Sequence, residues 1–357
     1  MKTIVIGAGI LGAAIANRLA GAGAEVQVVE AAAGPASAAT GCSFGWINAS
    51  FYHDADHFRL RAEGIAAWHR LGALDGLSWP GSVTWEAQGD ALARQEADLV
   101  GLGYRLTRLT RDQIRACLPH VACTATEALA FPAEGAADAA RVAAALLSRA
   151  QDLGARVSYG VRAEAITTRA DRVTGLRTQW GDIPADHIIV AAANRSPDLV
   201  APFGAPLPML RRPGALMVSQ PVAPVLDRIV VTPERELRQD GQGRILAPTS
   251  VSHQSDSSEV LAKAPEALAE EALASARALL PGVDLRWQQV LVANRPVPGD
   301  GLPVIGAAGP EGLTLAVMHS GVTLAAVTGE AVADDVMGGD RFAGLLAPYR
   351  QGRFRGA

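Results

Sequence analysis

At 357 residues, with 49% hydrophobic and 19% charged side chains, the chain has the content of a globular protein of two ordinary domains, not of a disordered or fibrous one. The net charge of −4 is small and spread out, and the only basic cluster is the tail of Arg350, Arg353 and Arg355, so nothing points to nucleic acid. No uninterrupted apolar run reaches the ~18 residues of a membrane helix. Cys42, Cys117 and Cys123 are odd in number and lack zinc-type or C-x-x-C spacing, so the expectation is a soluble cytoplasmic protein with reduced thiols and no metal.

Met1 to Ile6 reads as a buried strand, Gly7-Ala8-Gly9-Ile10-Leu11-Gly12 spells G-x-G-x-x-G, Ala13 to Gly21 reads as helix, and Val26 to Val29 as a strand ending at Glu30. In that setting the glycines form a dinucleotide site. Gly7 allows the tight turn, Gly9 admits the pyrophosphate to the backbone, Gly12 lets helix and strand pack closely, and N–H groups at the helix start attract the anion. Glu30, eighteen residues past Gly12, is placed to accept hydrogen bonds from ribose hydroxyls. The stretch lacks a cationic leader beyond Lys2, so it reads as retained structure and not as an export signal.

A glycine- and serine-rich loop follows from Gly34 to Asn48, then a helix from about Asp54 to Leu71, with Phe58, Ile65, Trp68 and Leu71 on one face. Residues 80–131 are mixed. A second amphipathic helix spans about Asp138 to Leu153, with Gly154 as its stop. Val157, Val161 and Ile166 begin a β region that continues as a hairpin through Arg172–Leu176 and turns at Gly181-Asp182 into a buried strand, Ile188–Ala193. Prolines between Pro202 and Pro224 mark a domain crossing. Ala215–Ser219, Ile229–Thr232 and Ile245–Ala247 read as antiparallel strands, Pro265–Leu280 as a helix closed by Pro281-Gly282, and Val290–Val292 and Leu313–Val317 as strands. A final helix runs from about Gly321 to Met337. Its start faces the carboxyl edge of the sheet, where open α/β folds bind ligands and where its dipole favours negative charge.

Four segments together resemble a known family: Ile4 to Glu30, the loop Ala38-Ala39-Thr40-Gly41-Cys42-Ser43, the run Arg295 to Gly306, and His319-Ser320-Gly321 with its helix. The third is close to the R-P-x-x-x-D-G-x-P-x-I-G signature. The chain is similar to the D-amino-acid oxidase superfamily of FAD-dependent amine oxidoreductases, which includes glycine oxidase, sarcosine oxidase and D-amino-acid dehydrogenases. The resemblance implies an α/β fold with a Rossmann-like FAD-binding domain (1–50, 130–205 and 300–357) and a mixed antiparallel-sheet substrate domain (51–129 and 206–299). It sets FAD against Gly7, Gly9, Ile10, Leu11, Gly12, Glu30, Thr40, Gly41, Cys42, Ser43, Ala163, Ala193, Gly306, Ser320, Gly321, Val322 and Thr323. Where the family usually has a glycine after the strand near Val190, this chain has Ala193 or Asn194, which puts the local backbone path in question.

Arg295 is the residue expected to hold a substrate carboxylate. A planar guanidinium grips a carboxylate through two parallel hydrogen bonds, and the arginine of this signature does so in glycine oxidase-like members. The plain alternative is a surface ion pair; Arg211 and Arg212 are weaker candidates for the grip. His319 is a site candidate from its place in the flavin-facing turn, with a backbone-satisfied turn residue as the alternative. The loop from Ser43 to His53 carries Asn48, Tyr52 and His53 among aromatic residues, the character of a small-ligand pocket, although core packing of the aromatics is an equal alternative.

Sarcosine oxidase-like members attach flavin through a cysteine just before the signature, where this chain has Ala293, so FAD is expected to be noncovalent. They also activate oxygen with a lysine, and the lysines here are Lys2 and Lys263 alone. The implied activity is hydride transfer from the α-carbon of a small amino acid or amine to flavin N5, giving an imine that hydrolyses to an oxo acid, with oxygen or a quinone or carrier as acceptor. A NAD(P)-dependent dehydrogenase and a noncatalytic flavin subunit of a larger complex are the rival readings, and a homo- or hetero-oligomer is open.

Overall fold

The structure is a computed structural model that describes residues 1–250 and 256–354. Six strands make one sheet in the order Val304–Ala307, Leu313–Val317, His187–Val190, Lys2–Ile6, Glu25–Glu30, Arg156–Tyr159. Neighbours run parallel except the first pair, which is antiparallel. Successive side chains on a strand face opposite ways, and both faces are apolar here, as a covered parallel sheet requires. Val5, Val28, Ile189 and Ala316 join a core with helices Ile10–Gly21, Ala139–Asp152 and Gly321–Val336. Ile4, Ile6, Val29, Ile188 and Val190 meet Ile166, Val173 and Leu176 of an antiparallel three-stranded sheet on the other side.

The second sheet has eight strands, ordered Trp287–Asn294, Pro213–Pro221, Arg244–Pro248, Glu236–Gln239, Ile229–Val231, Ser82–Thr84, Glu127–Phe131, Thr107–Thr110. The same alternation divides its faces. Met217, Val230, Leu237 and Ala247 pack on helices Pro265–Leu279 and Arg111–Cys117. Leu216, Val218, Ile229, Val231 and Leu246 face the opposite way, toward Phe44 and Trp46.

Three local outcomes differ from the sequence expectation. Helix Ala55–Leu71, placed with the second domain by sequence, buries Phe58, Leu60, Ile65 and Trp68 in the same core as the dinucleotide unit, because it packs on helix Gly321–Val336. The mixed region 80–131 contains helices Asp90–Gly101 and Arg111–Cys117; the first buries only Leu92 and Leu99, too thin a stripe to stand out. The strand expected to reach Ala193 stops at Val190, and Ala193 begins a 3₁₀ turn with φ of +51°. That is a left-handed backbone, which explains a glycine preference at this position.

No described helix is long and apolar enough to cross a membrane. Cys42, Cys117 and Cys123 are all free thiols.

Candidate active site

A cavity of about 840 Å³ is bounded by the six-stranded sheet, the start of two helices and the inner face of the eight-stranded sheet. Its lining falls into two groups. The first is the dinucleotide unit with the loop over it: Gly7, Gly9, Ile10, Leu11, Glu30, Thr40, Cys42 and Ser43, joined by Ala163 and Ala193. Gly7 has φ of +108°, and a Cβ on it would sit 2.5 Å from the carbonyl oxygen of Ala191. The cap of helix Ile10–Gly21 is Gly9, without a side chain, and the first turn carries no acid. Thr40 Oγ1 accepts the N–H of Ile10 at 3.1 Å. Glu30 accepts from the N–H groups of Ala8 and Ala32 at 2.8 and 2.9 Å, which fixes its carboxylate at the cavity wall.

The second group comprises Trp46, Asn48, Arg61, Leu216, Ala293, Arg295, His319, Ser320, Gly321, Val322 and Thr323. Helix Gly321–Val336 opens here. Its cap, Ser320, is left-handed with φ of +59°, makes no capping bond with its side chain, and is followed by a first turn free of acid. The Arg61 guanidinium, 2% exposed, donates from Nε to the carbonyl of Asn48 at 3.0 Å, from Nη2 to Asn48 Oδ1 at 2.5 Å and from Nη1 to Ser320 Oγ at 2.8 Å. Burial pulls its pKa down to about 10, so it stays a cation at neutral pH. Ser320 Oγ lies 3.3 Å from His319 Nδ1. Thr323 Oγ1 accepts the N–H of Asn48 at 3.3 Å and donates to the carbonyl of Trp46 at 3.2 Å, tying the strand Trp46–Ile47 to this helix.

Arg295 lines the cavity, but its Nη2 also donates to Asp256, at 3.0 Å to the backbone carbonyl and 3.2 Å to Oδ2. Burial lowers the Arg295 pKa, with Asp256 opposing. The Asp256 carboxyl is held below its ordinary value: burial works against its charge, and Ser250, the Ser258 N–H and Arg295 together outweigh it. Arg211 and Arg212 do not line the cavity; Arg212 lies 3.7 Å from Glu259.

Gly12 lies behind the cavity lining in the packing role expected of it, since a Cβ there would stand 1.9 Å from the carbonyl oxygen of Gly7. Four residues expected at the site lie outside the lining. Gly41 closes its own loop, 2.4 Å by the same measure from the Ala36 carbonyl. Gly306 admits the Arg350 guanidinium, which pairs with Asp335. Tyr52 stands edge-on to Phe58, with ring centres 5.6 Å apart. His53 stacks on His57 at 5.0 Å and donates its backbone N–H to His57 Nδ1.

Two residues that matter escaped sequence reasoning. Arg61 is one; the other is Glu134, fully buried, whose carboxylate accepts from Trp46 Nε1, the Ser50 N–H, Ser82 Oγ and Tyr104 OH. It anchors the cavity wall at Trp46. Its pKa is raised by burial, with the donors of Ser82, Ser50 and Tyr104 opposing. An acid in the run Phe131-Pro132-Ala133-Glu134-Gly135 looks like a turn residue, and nothing local marks it as buried.

The family model described as FAD dependent oxidoreductase matches residues 2–335. The chain belongs to that family. This FAD-dependent oxidoreductase is similar to a D-amino acid dehydrogenase of Rhizorhabdus wittichii, 29% identical over 70% of this chain and 64% of that protein. It is also similar to one of Rhizobium johnstonii, 28% identical over 95% of this chain and 96% of that protein. The crystal structure of glycine oxidase from Geobacillus kaustophilus superposes with a TM-score of 0.86 at 23% identity, covering 98% of each chain, which shows a shared fold.

The residues present fit FAD. The side-chain-free cap at Gly9 leaves the backbone at the helix start open to a pyrophosphate, and about 840 Å³ is ample for a large ligand. The fingerprint group would hold the adenosine and pyrophosphate, which leaves the Trp46, Asn48, Arg61 and Ser320 group for the flavin ring.

Proposed function

We propose that this FAD-dependent oxidoreductase oxidises the C–N bond of a small amino acid or secondary amine, yielding an imine that hydrolyses to an oxo acid. The observation that carries the reading is Arg295, a guanidinium lining the same cavity as the fingerprint glycines, beside the group left for the flavin ring. Bound FAD would supply the two-electron acceptor, taking hydride from the substrate α-carbon at its N5. The chain's own residues orient and shield. Arg295 takes the substrate carboxylate through its planar fork, which fixes the α-carbon in the cavity. Trp46, Leu216 and Ala293 line the walls with apolar surface and exclude water. Ser320 Oγ accepts from Arg61 Nη1 and lies 3.3 Å from His319 Nδ1, which links His319 to the Arg61 and Asn48 pair.

FAD is held noncovalently in this reading. Ala293 lines the cavity where a cysteine would be needed, and burial raises the pKa of the nearby Cys42 thiol, keeping it protonated. Oxygen or a quinone or carrier takes the electrons. Neither Lys2 nor Lys263 lines the cavity, and Lys263 pairs with Glu271, so activation of oxygen by lysine has no support.

The test is anaerobic bleaching of the purified yellow protein by a panel of D- and L-amino acids, N-methyl amino acids and cyclic imino acids, D-amino acids first because of the two relatives' names. Bleaching by amino compounds is the expected result. If hydroxy acids bleach the flavin and no amine does, the reading is wrong.

A further inference from the structure

Whereas Arg162 and Arg195 of the cavity lining are exposed, Arg61 is a buried guanidinium in the same wall that the proposed reaction leaves without a task. Helix Ala55–Leu71 brings it there because Gly64, one turn on, lets the helix approach helix Gly321–Val336 closely: a Cβ at Gly64 would meet the Thr323 carbonyl at 2.7 Å. Its hydrogen bonds go to an amide, a backbone carbonyl and a hydroxyl, and among the described residues none goes to a carboxylate. Glu134 acts on it only through space, its own oxygens being engaged by Trp46, Ser50, Ser82 and Tyr104. A buried guanidinium without a direct counter-ion is costly to keep. It also fixes its neighbour. Because Asn48 Oδ1 accepts from Arg61, the side-chain NH₂ is what Asn48 has left to offer the cavity. A cation, an amide donor and an uncapped helix start at Gly321 are thus joined through Ser320 on the side of the cavity left for the flavin ring.

We propose that Arg61, with Asn48 oriented by it, sets the reduction potential of the bound flavin by favouring the ring when it is reduced and negatively charged. The inference rests on the assignment of this cavity to FAD, and not on which substrate is oxidised. Hydride transfer moves two electrons and one proton to the ring as the substrate C–H bond breaks, so the ring gains one negative charge. A fixed cation and oriented donors act on that difference between the two states and need no reorganisation to do so. Arg61 is in this sense a tuning and positioning residue; it makes and breaks no bond.

The test is the potential of bound FAD, measured by equilibration with a reference dye during enzymatic reduction in the absence of any amine. Arg61→Met should weaken the preference for reduced over oxidised FAD at least tenfold, which for a two-electron couple is a potential about 30 mV lower, whereas Arg61→Lys should recover most of it. Asn48→Asp is the second variant, close to isosteric: it sets a carboxylate against Arg61 and should lower the potential in the same direction even if Arg61→Met does not fold. A wild-type potential in folded, FAD-loaded Arg61→Met, or in Asn48→Asp, overturns the proposal. So does an unchanged potential accompanied by a loss of carboxylate-inhibitor affinity, which would assign the cation to substrate. Failure of every amine to bleach the wild type would defeat the amine-oxidation reading and leave this measurement intact.

Discussion

Replacing Arg295 with alanine tests the substrate-binding half of the proposal, and the structure sets the size of the effect. The Arg295 and Asp256 side chains are 15% and 10% exposed, so the range for truncating one member of a buried charge pair applies, about 2–5 kcal/mol of ligand affinity. Asp256 already occupies part of the guanidinium, through contacts at 3.0 and 3.2 Å. A ligand carboxylate therefore meets a cation that is partly neutralised, and the loss belongs near the lower end, about 2 kcal/mol or roughly 30-fold. Asp256→Asn should act in the opposite sense. It removes a neighbouring negative charge with little change of shape and should tighten carboxylate binding by on the order of 1 kcal/mol, the scale of a partly screened charge pair. Arg295→Lys should recover only part of the loss, since an ammonium cannot make the planar two-point grip. The assay is titration of the flavin spectrum with a carboxylate inhibitor, which needs no turnover. Unchanged affinity in folded, FAD-loaded Arg295→Ala would refute the reasoning and point to a substrate without a carboxylate.

Gly9→Val should leave the chain folded but strip it of FAD, because the new side chain stands at the helix cap beside Thr40, while Gly12→Ala should damage the fold itself, its Cβ meeting the Gly7 carbonyl at 1.9 Å; flavin content and circular dichroism of the two variants separate these outcomes, and stoichiometric flavin in Gly9→Val would be inconsistent with the site. Acid precipitation of the wild type should release all FAD to the supernatant, and colour remaining in the pellet would show a covalent bond. Stability should fall below about pH 6.5, because burial pushes the folded pKa of His57 down to about 2 and that of His187 to about 4, while both titrate near 6.5 when unfolded. The unfolded state then binds the extra protons, so stability present above pH 6.5 is lost as the pH falls, at up to about 1.4 kcal/mol per pH unit for each histidine. Equal urea midpoints at about pH 7.5 and about pH 5 would contradict this.

Glu134 and the pair Tyr52 and His53 show where sequence reasoning stops. An aromatic loop with interspersed polar groups is compatible with a cavity wall or with core, and here the loop does both: Trp46 and Asn48 line the cavity, while Tyr52 packs on Phe58 and His53 on His57. The residues are a few positions apart, and what separates them is the direction each faces once helix Ala55–Leu71 has docked. Arg61 is the sharper case. Along its own helix it is one arginine among Arg59, Arg61 and Arg70, and nothing local distinguishes it.

The dinucleotide unit was determined by sequence alone, because its contacts are local. Gly7 needs a positive φ, Gly12 packs within five residues of chain, and Glu30 reaches back 22 residues to the N–H of Ala8. Short-range sterics of that kind leave a readable residue pattern. The flavin-side group was decided by tertiary structure. Arg61 meets Ser320 across 259 residues and Arg295 meets Asp256 across 39, and these contacts depend on two helices closing over Gly64 and on the packing of the second sheet. A charge on a helix carries the same letter whether it faces solvent or a cavity; only the packing of distant segments removes its water and makes it part of a site.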